Sequence, residues 1–185
     1  MWKGILVVGA AVALAVAGIS CSDHVMNPTP KADQPGTEYL PPANPESVLE
    51  NLQTAYEAKD IDAYAACLHP EFVFIPSGSN RVSANTLDRD QDLRSTGRMF
   101  DRVDEIRITL THSPSTPSAL GSPYSEESGH RMIDVSNVSI RIVDPGSPND
   151  GPIVHQVNGD QARFIFRPID GTVPIEYQIV CQQEF

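Results

Sequence analysis

Four segments in the second half of the chain alternate apolar and mainly polar residues with a period of two. They cover residues 106–111, 138–143, 162–167 and 175–180. In the first of them Ile106, Ile108 and Leu110 share one face. This period is typical of strands with one buried and one solvated face, which occur mainly in antiparallel sheets. The Asp170-Gly171 pair between the last two segments predicts a hairpin.

The part of the chain before these strands carries the spacing of helices. Asparagine caps a helix and proline suits its first turn, so Asn44-Pro45 is a start signal for a first helix. Asp60 begins a second, shorter helix, and a strand follows over residues 72–75. A third helix is predicted over residues 88–100. Helices followed by a run of antiparallel strands indicate the α+β class.

The N-terminus carries the pattern of an export signal. Lys3 precedes an apolar run from Gly4 to Gly18, which fits the core of a signal peptide and is short for a membrane span of about 20 residues. The residues that end at Ser20-Cys21 resemble a bacterial lipobox. The resemblance implies cleavage after Ser20 and lipid on Cys21, and several acyl chains would anchor the protein firmly. The alternative is an ordinary signal peptide or an uncleaved anchor, with Cys21 incidental.

The predicted organisation is a signal peptide over residues 1–20, a tether over residues 21–43 and a folded domain over residues 44–185. The tether has many prolines and few large apolar residues, so it cannot bury a core. Serine rather than aspartate stands at position 22, which favours the outer membrane, facing the periplasm, over retention in the inner membrane. The expected location is therefore the bacterial cell envelope.

Charge excludes some classes of partner. Lys and Arg total 13 against 24 Asp and Glu, for a net charge of −11. A nucleic-acid binder needs a basic footprint, so nucleic acid is not an expected partner. The acidic run that begins at Asp88 lacks the glycine and the glutamate of a calcium loop. No metal and no cofactor are expected, and Cys67 and Cys181 either form a disulfide or remain thiols.

The stretches VLENLQTAYEAKDIDAYAACLHPEFVFIP and ARFIFRPIDGTVPIEYQIVCQQEF resemble the opening and the closing hairpin of nuclear transport factor 2-like, or SnoaL-like, domains. The resemblance covers residues 44–185. It implies a cystatin-like cone, in which a curved antiparallel sheet wraps around the N-terminal helices and leaves a pocket in its mouth.

The resembled superfamily includes ketosteroid isomerases, polyketide cyclases and dehydratases, whose pockets transfer protons through Asp, His or Tyr. When this chain is aligned on its segment from Asp60 to Ala63, the isomerase general base falls on Pro76. The isomerase tyrosine of the first helix falls on Leu52. Neither residue can transfer a proton, so no catalytic residue is predicted from this resemblance.

Candidate ligand-binding residues are the aromatic and histidine side chains that could reach a pocket. The set is Tyr56, Tyr64, Phe74, Phe100, His112, His155 and Tyr177. The aromatic members either line an apolar cavity or fill it. The two histidines could act as acid and base in one pocket, or lie near strand ends in partial contact with water.

The leading hypothesis is a lipid-anchored envelope protein whose domain binds a small apolar ligand or a partner, without demonstrable catalysis. The first alternative is an isomerase, cyclase or dehydratase that uses His112 or His155. The second is a structural module that forms a homodimer through its open sheet face. Residues 113–131 are rich in Ser, Pro and Gly, which favours a mobile insertion over a pocket lid.

Overall fold

The computed structural model describes residues 37–77, 86–121, 123–146 and 151–185. The predicted signal peptide, Cys21 and the tether as far as residue 36 lie outside the described residues. The helices are α1 Pro45–Ala58, α2 Ile61–Cys67 and α3 Arg89–Arg102. The strands are β1 Leu68–Ile75, β2 Leu87–Asp88, β3 Glu105–His112, β4 Thr116–Pro117, β5 Arg131–Asp144, β6 Ile153–Pro168 and β7 Tyr177–Glu184.

The predicted helix starts are confirmed by side-chain caps. The side-chain oxygen of Asn44 accepts a hydrogen bond from the Ser47 N–H at 2.8 Å, which satisfies one of the free donors of the first turn of α1. Asp60 caps α2 by accepting hydrogen bonds from the backbone N–H groups of Asp62 and Ala63. Asp88 caps α3 by accepting from the Gln91 N–H at 2.8 Å.

One curved sheet wraps around these helices, so the predicted α+β, cystatin-like architecture is confirmed. Its strand order is β2-β1-β7-β6-β5-β3, and β4 pairs with β5 outside this path. Register shifts interrupt the β3–β5, β5–β6 and β6–β7 pairs, and such bulges bend long strands. The sheet is mixed rather than wholly antiparallel, because β1 runs parallel to β7 with Leu68 opposite Ile179.

The main core lies between the helices and the inner face of the sheet. The apolar stripe of α1, which includes Leu52 and Tyr56, is buried in one cluster with Phe164, Phe166 and Ile179 of β6 and β7. The apolar stripe of α1 and the apolar inner face of the sheet each need a partner to be buried, and each provides it for the other. The last strand begins at Tyr177 rather than at residue 175 as predicted, and Ile175 is exposed.

The segment 113–131 packs against the domain instead of standing apart as the predicted mobile insertion. Its Tyr124 is buried in a second apolar cluster with Ile165, Val180 and Cys181. The segment also adds the short strand β4 to β5, and the Ser118 N–H donates to the His130 carbonyl at 3.0 Å. The outer face of the sheet therefore carries a small core of its own. This explains why Phe164, Ile165 and Phe166 are all buried, although a half-solvated strand would expose every second residue.

The last residues of the predicted tether are docked on the domain. The Leu40 N–H donates to the Asn51 side chain, and Asn51 donates back to the Leu40 carbonyl, both at 2.8 Å. The Tyr39 hydroxyl donates to Asp60 at 3.0 Å. The Tyr177 N–H donates to the Pro42 carbonyl at 2.8 Å. The chain therefore enters the folded domain beside the start of β7.

Cys67 and Cys181 are both buried thiols, and no disulfide joins them. Burial raises the pKa of the Cys67 thiol to about 12, so this thiol stays protonated at neutral pH. None of the helices in the described part of the chain is both long and apolar enough to cross a membrane.

Candidate functional site

A small pocket lies where the C-terminal end of α3 meets the ends of β5 and β6. Its volume is about 90 Å³. The residues that line it are Arg98, Met99, Arg102, Val103, Ile142, Asp144 and His155. Val103 and Ile142 are buried, and with Met99 they form an apolar floor. The remaining four carry ionisable groups and form a charged rim.

The two arginines of the rim come from one face of α3. Arg98 and Arg102 are four residues apart, and residues at this spacing are neighbours on a helix surface. The helix ends immediately afterwards at its C-cap, Val103. The negative end of the helix dipole therefore lies beside two cations, which is a favourable arrangement.

One arginine of the rim has an ion-pair partner among the described residues, and the other has none there. Arg102 contacts the Asp144 carboxylate at 3.1 Å. The Gly146 N–H donates to the other oxygen of Asp144 at 2.9 Å. This backbone hydrogen bond, followed by the charges of Arg102 and His155, lowers the pKa of Asp144 and keeps it ionised. Arg98 forms no ion pair with any residue that the structure describes.

The rim therefore carries more positive than negative charge. Two guanidinium groups, those of Arg98 and Arg102, face the one carboxylate of Asp144. In a chain with a net charge of −11 this is a local exception. The arrangement suits a ligand with an apolar part for the floor and an anionic group for Arg98.

Three of the predicted ligand-binding residues form a compact cluster inside the cone. The ring centroids of Tyr56 and Tyr64 are 5.1 Å apart, and those of Tyr56 and Phe100 are 5.3 Å apart, with all rings edge to face. All three rings are buried, as is Phe74 on β1. These side chains pack against protein on all sides, and ligand contact by them stays a prediction.

The other three predicted residues lie far apart. His155 lines the pocket. In the sheet it lies opposite Ile142 of β5, which in turn lies opposite Ile106 of β3. His112 lies six residues further along β3, about 20 Å away at the usual rise of a strand, and its Nδ1 is 2.9 Å from the Ser113 carbonyl oxygen. The two histidines cannot share one pocket, so the acid–base pair considered from the sequence is not formed. Tyr177 is half-buried at the start of β7.

Most of the pocket was not anticipated from the sequence. Arg98 and Arg102 could have been noticed as an i, i+4 pair of cations at the end of a predicted helix. The part played by Asp144 could not be noticed in the sequence, because Asp144 and its partner Arg102 are 42 residues apart in the chain. In residues 37–77, 86–121, 123–146 and 151–185, no group of three or more His, Cys, Asp or Glu side chains could hold a metal ion.

A buried carboxyl group lies next to the aromatic cluster. The Tyr64 hydroxyl donates to Asp92 Oδ2 at 2.5 Å, and Asp92 is fully buried. Its other oxygen has no hydrogen-bond partner among the described residues. Burial raises the pKa of Asp92 from 3.8 to about 6, against the opposing effect of the Tyr64 hydrogen bond. Because both partners are buried, we assign this pair to the contact between α2 and α3 and not to the pocket.

Comparisons with known proteins identify the fold. No protein-family model matches the sequence, and the comparison with curated proteins gives no match. Among solved structures, a protein from Planctomyces limnophilus has a TM-score of 0.53 and 17% identity over 75% of this chain and 89% of that chain. A candidate aromatic ring hydroxylase from Novosphingobium aromaticivorans has a TM-score of 0.53 and 13% identity over 75% of this chain and 83% of its own.

A third similar structure, from Caulobacter vibrioides, is described as having a cystatin-like fold. Its TM-score is 0.52 and its identity 10%, over 75% of this chain and 84% of that chain. Likeness at these identities establishes a shared fold and not a shared activity. The domain therefore has the cystatin-like fold that its resemblance to nuclear transport factor 2-like domains implies.

We expect Asp92 to make stability depend on pH. With a pKa raised to about 6, folded Asp92 keeps a proton that the unfolded chain releases near pH 4, so the free energy of unfolding falls as pH rises through this window. Asp92→Asn cannot ionise. It should therefore gain stability over the wild type between pH 4 and pH 7, by an amount on the order of 3 kcal/mol.

Urea unfolding of both proteins at a series of pH values measures this difference. The control is Asp90→Asn, an exposed residue of the same helical turn, whose curve should follow that of the wild type. Parallel curves for Asp92→Asn and the wild type would show that Asp92 ionises as easily in the folded protein as in the unfolded chain.

Proposed function

We propose that this chain is a lipid-anchored protein of the bacterial cell envelope, and that its domain binds a small ligand with an apolar body and one anionic group. The observation that carries the proposal is the pocket at the end of α3. There an apolar floor of Met99, Val103 and Ile142 lies beneath an arginine, Arg98, that has no ion-pair partner in the described structure.

Each part of the pocket has a role in this proposal. The floor would remove apolar ligand surface from water, which favours binding at about 25 cal/mol per Å². Arg98 would form a charge-assisted hydrogen bond with the anionic group, and such bonds are stronger than neutral ones. Asp144 holds Arg102 in place and excludes a second anion, so the site is suited to a single negative charge.

Binding without turnover fits the chemistry of the rim better than catalysis does. The carboxylate of Asp144 already accepts hydrogen bonds from Arg102 and Gly146, so it is not free to act as a base. His155 is the remaining proton-transferring group on the rim, and the second histidine of the catalytic alternative, His112, lies at the other end of β3. An enzyme in this pocket would have to work with His155 alone.

The anchor is supported by the sequence and by the place where the chain enters the domain. The apolar run before Cys21 and the proline-rich segment after it have the order expected of a lipoprotein signal and its tether. The end of that segment is attached to the surface of the domain through Tyr39, Leu40 and Pro42. The anchored domain would thus be held at a defined point on its surface.

Pentanoate is a suitable probe for the pocket, because it combines a short apolar chain with one carboxylate. We expect pentanoate to bind more tightly than pentan-1-ol, which lacks the charge. Arg98→Gln should weaken pentanoate binding by roughly 10-fold or more, as expected for the loss of one charge-assisted hydrogen bond of about 1.5–3 kcal/mol. The dissociation constants can be measured by titration followed with NMR.

Arg94→Gln is the matched control, because Arg94 is an exposed arginine one turn earlier on α3 that does not line the pocket. This variant should bind pentanoate like the wild type. If the alcohol binds as tightly as the acid, or if both arginine variants bind equally well, the proposed anionic specificity is wrong.

Cys21→Ala should abolish lipid attachment. Cells that express the chain and are fed radioactive palmitate should label the wild-type protein, while the Cys21→Ala variant should remain an unlabelled, unprocessed precursor. Ser22→Ala, which changes the neighbouring residue and keeps the thiol, should be labelled normally. Normal labelling of Cys21→Ala would remove the basis for the anchor.

A further inference from the structure

The connection between β6 and β7, residues 169–176, presents apolar side chains to solvent. Val173 is 97% exposed and Ile175 is 56% exposed. Pro174 stands between them, so the tip of this connection, which we call the apolar loop, is Val173-Pro174-Ile175. Large apolar side chains that project together from a surface often mark a site of contact with a partner or a membrane.

The apolar loop is held in place by hydrogen bonds at its base. The Ile169 N–H donates to the Glu176 carbonyl at 2.8 Å and closes the loop. The Thr172 hydroxyl donates to the Ile169 carbonyl and accepts from the Glu176 N–H, both at 2.9 Å. The backbone on both sides of the tip is therefore fixed, and the exposure of Val173 and Ile175 is a property of the folded loop.

The apolar loop lies at the end of the domain where the tether arrives. Tyr177, which directly follows the loop region, donates its N–H to the Pro42 carbonyl at 2.8 Å. Leu40, two residues earlier in the same docked segment, is a further exposed apolar side chain. The stretch from Cys21 to residue 36 is roughly 16 residues long and spans at most about 55 Å, so the tether limits how far the loop can lie from an anchored membrane.

The other exposed apolar pair of the sheet is at the opposite end. Ile153 and Val154 are about half exposed at the start of β6, whereas the apolar loop follows Pro168 at its end. The pocket is also at the start of β6, since His155 lines it. An anchor beside the apolar loop would therefore turn the pocket away from the membrane.

We propose that the apolar loop rests on the lipid bilayer and inserts Val173 and Ile175 at the boundary between head groups and acyl chains. This inference rests on the proposed anchor at Cys21. Asp170 and Glu176 flank the tip, so attraction to anionic lipid cannot drive the contact and neutral lipid is the expected surface. Two inserted side chains suffice for an anchored domain, because the tether keeps the local concentration of the loop at the membrane high.

Tryptophan fluorescence can report this contact without background from other tryptophans. Its single tryptophan, Trp2, lies in the predicted signal peptide, so the mature chain from Cys21 contains none. Val173→Trp therefore places a unique fluorophore at the tip of the loop. Val154→Trp is the matched control, because it is an exposed valine on the same hairpin at the opposite end of β6.

Each variant, prepared as the mature chain from Cys21, is coupled through that thiol to a maleimide lipid in neutral phosphatidylcholine vesicles with brominated acyl chains. Cys67 and Cys181 are buried and should not react. Bromine quenches tryptophan that enters the bilayer. We expect at least two-fold quenching and a blue shift for Val173→Trp and an unchanged spectrum for Val154→Trp.

Because the lipid is attached chemically, this experiment does not depend on whether cells attach lipid to Cys21. The palmitate experiment tests that anchor separately.

A second variant shows whether the apolar character of the tip matters. With Ile175→Trp as the reporter, adding Val173→Asp should reduce the quenching at least two-fold. If brominated vesicles, compared with unbrominated ones, change the spectrum of Val173→Trp no more than that of Val154→Trp, the proposal is overturned. A protein partner would then be the expected binder of the apolar loop.

Discussion

The edge-to-face contact among Tyr56, Tyr64 and Phe100 sets the geometry of this domain. Each ring comes from a different helix, so this one cluster positions α1, α2 and α3 relative to each other. Aromatic pairs in this arrangement contribute about 0.5–1.5 kcal/mol beyond the burial of their surface. The hydrogen bond from Tyr64 to Asp92 adds a second link between α2 and α3. The interior of the cone is consequently filled, and the pocket lies at the end of α3.

The length of the central strands gives the domain two distinct ends. β6 runs from Ile153 to Pro168, which corresponds to about 50 Å of extended chain. The pocket lies at its start and the apolar loop follows its end. The docked residues of the tether meet the domain beside that loop, through the bond between Pro42 and Tyr177. An anchored protein built in this way would present its pocket to the surrounding compartment.

The features that the sequence predicted well depend on local chemistry. Asn44, Asp60 and Asp88 cap their helices because a short polar side chain can reach the free N–H groups of its own next turn. Ile106 and Ile108 alternate with polar residues because β3 has one solvated face. The features that it predicted poorly depend on contacts between distant segments.

The segment 113–131 and the pocket are the clearest examples of such contacts. Tyr124 lies in a stretch whose composition is typical of a mobile loop, yet it covers the outer face of the sheet at Ile165 and Val180. Arg102 becomes part of a site only because β5 brings Asp144 to it. His155 was a candidate from its place on a strand, but the residues that share its pocket lie on another strand and a helix.

We propose that a ligand occupies the pocket at the end of α3 and not the interior of the cone. Amide chemical-shift mapping by NMR during a titration with pentanoate distinguishes these two places. We expect the largest shifts at Met99, Arg102 and His155, around the pocket. Largest shifts at Tyr56, Tyr64 and Phe100 would contradict it, because they would show that the aromatic cluster opens to admit the ligand.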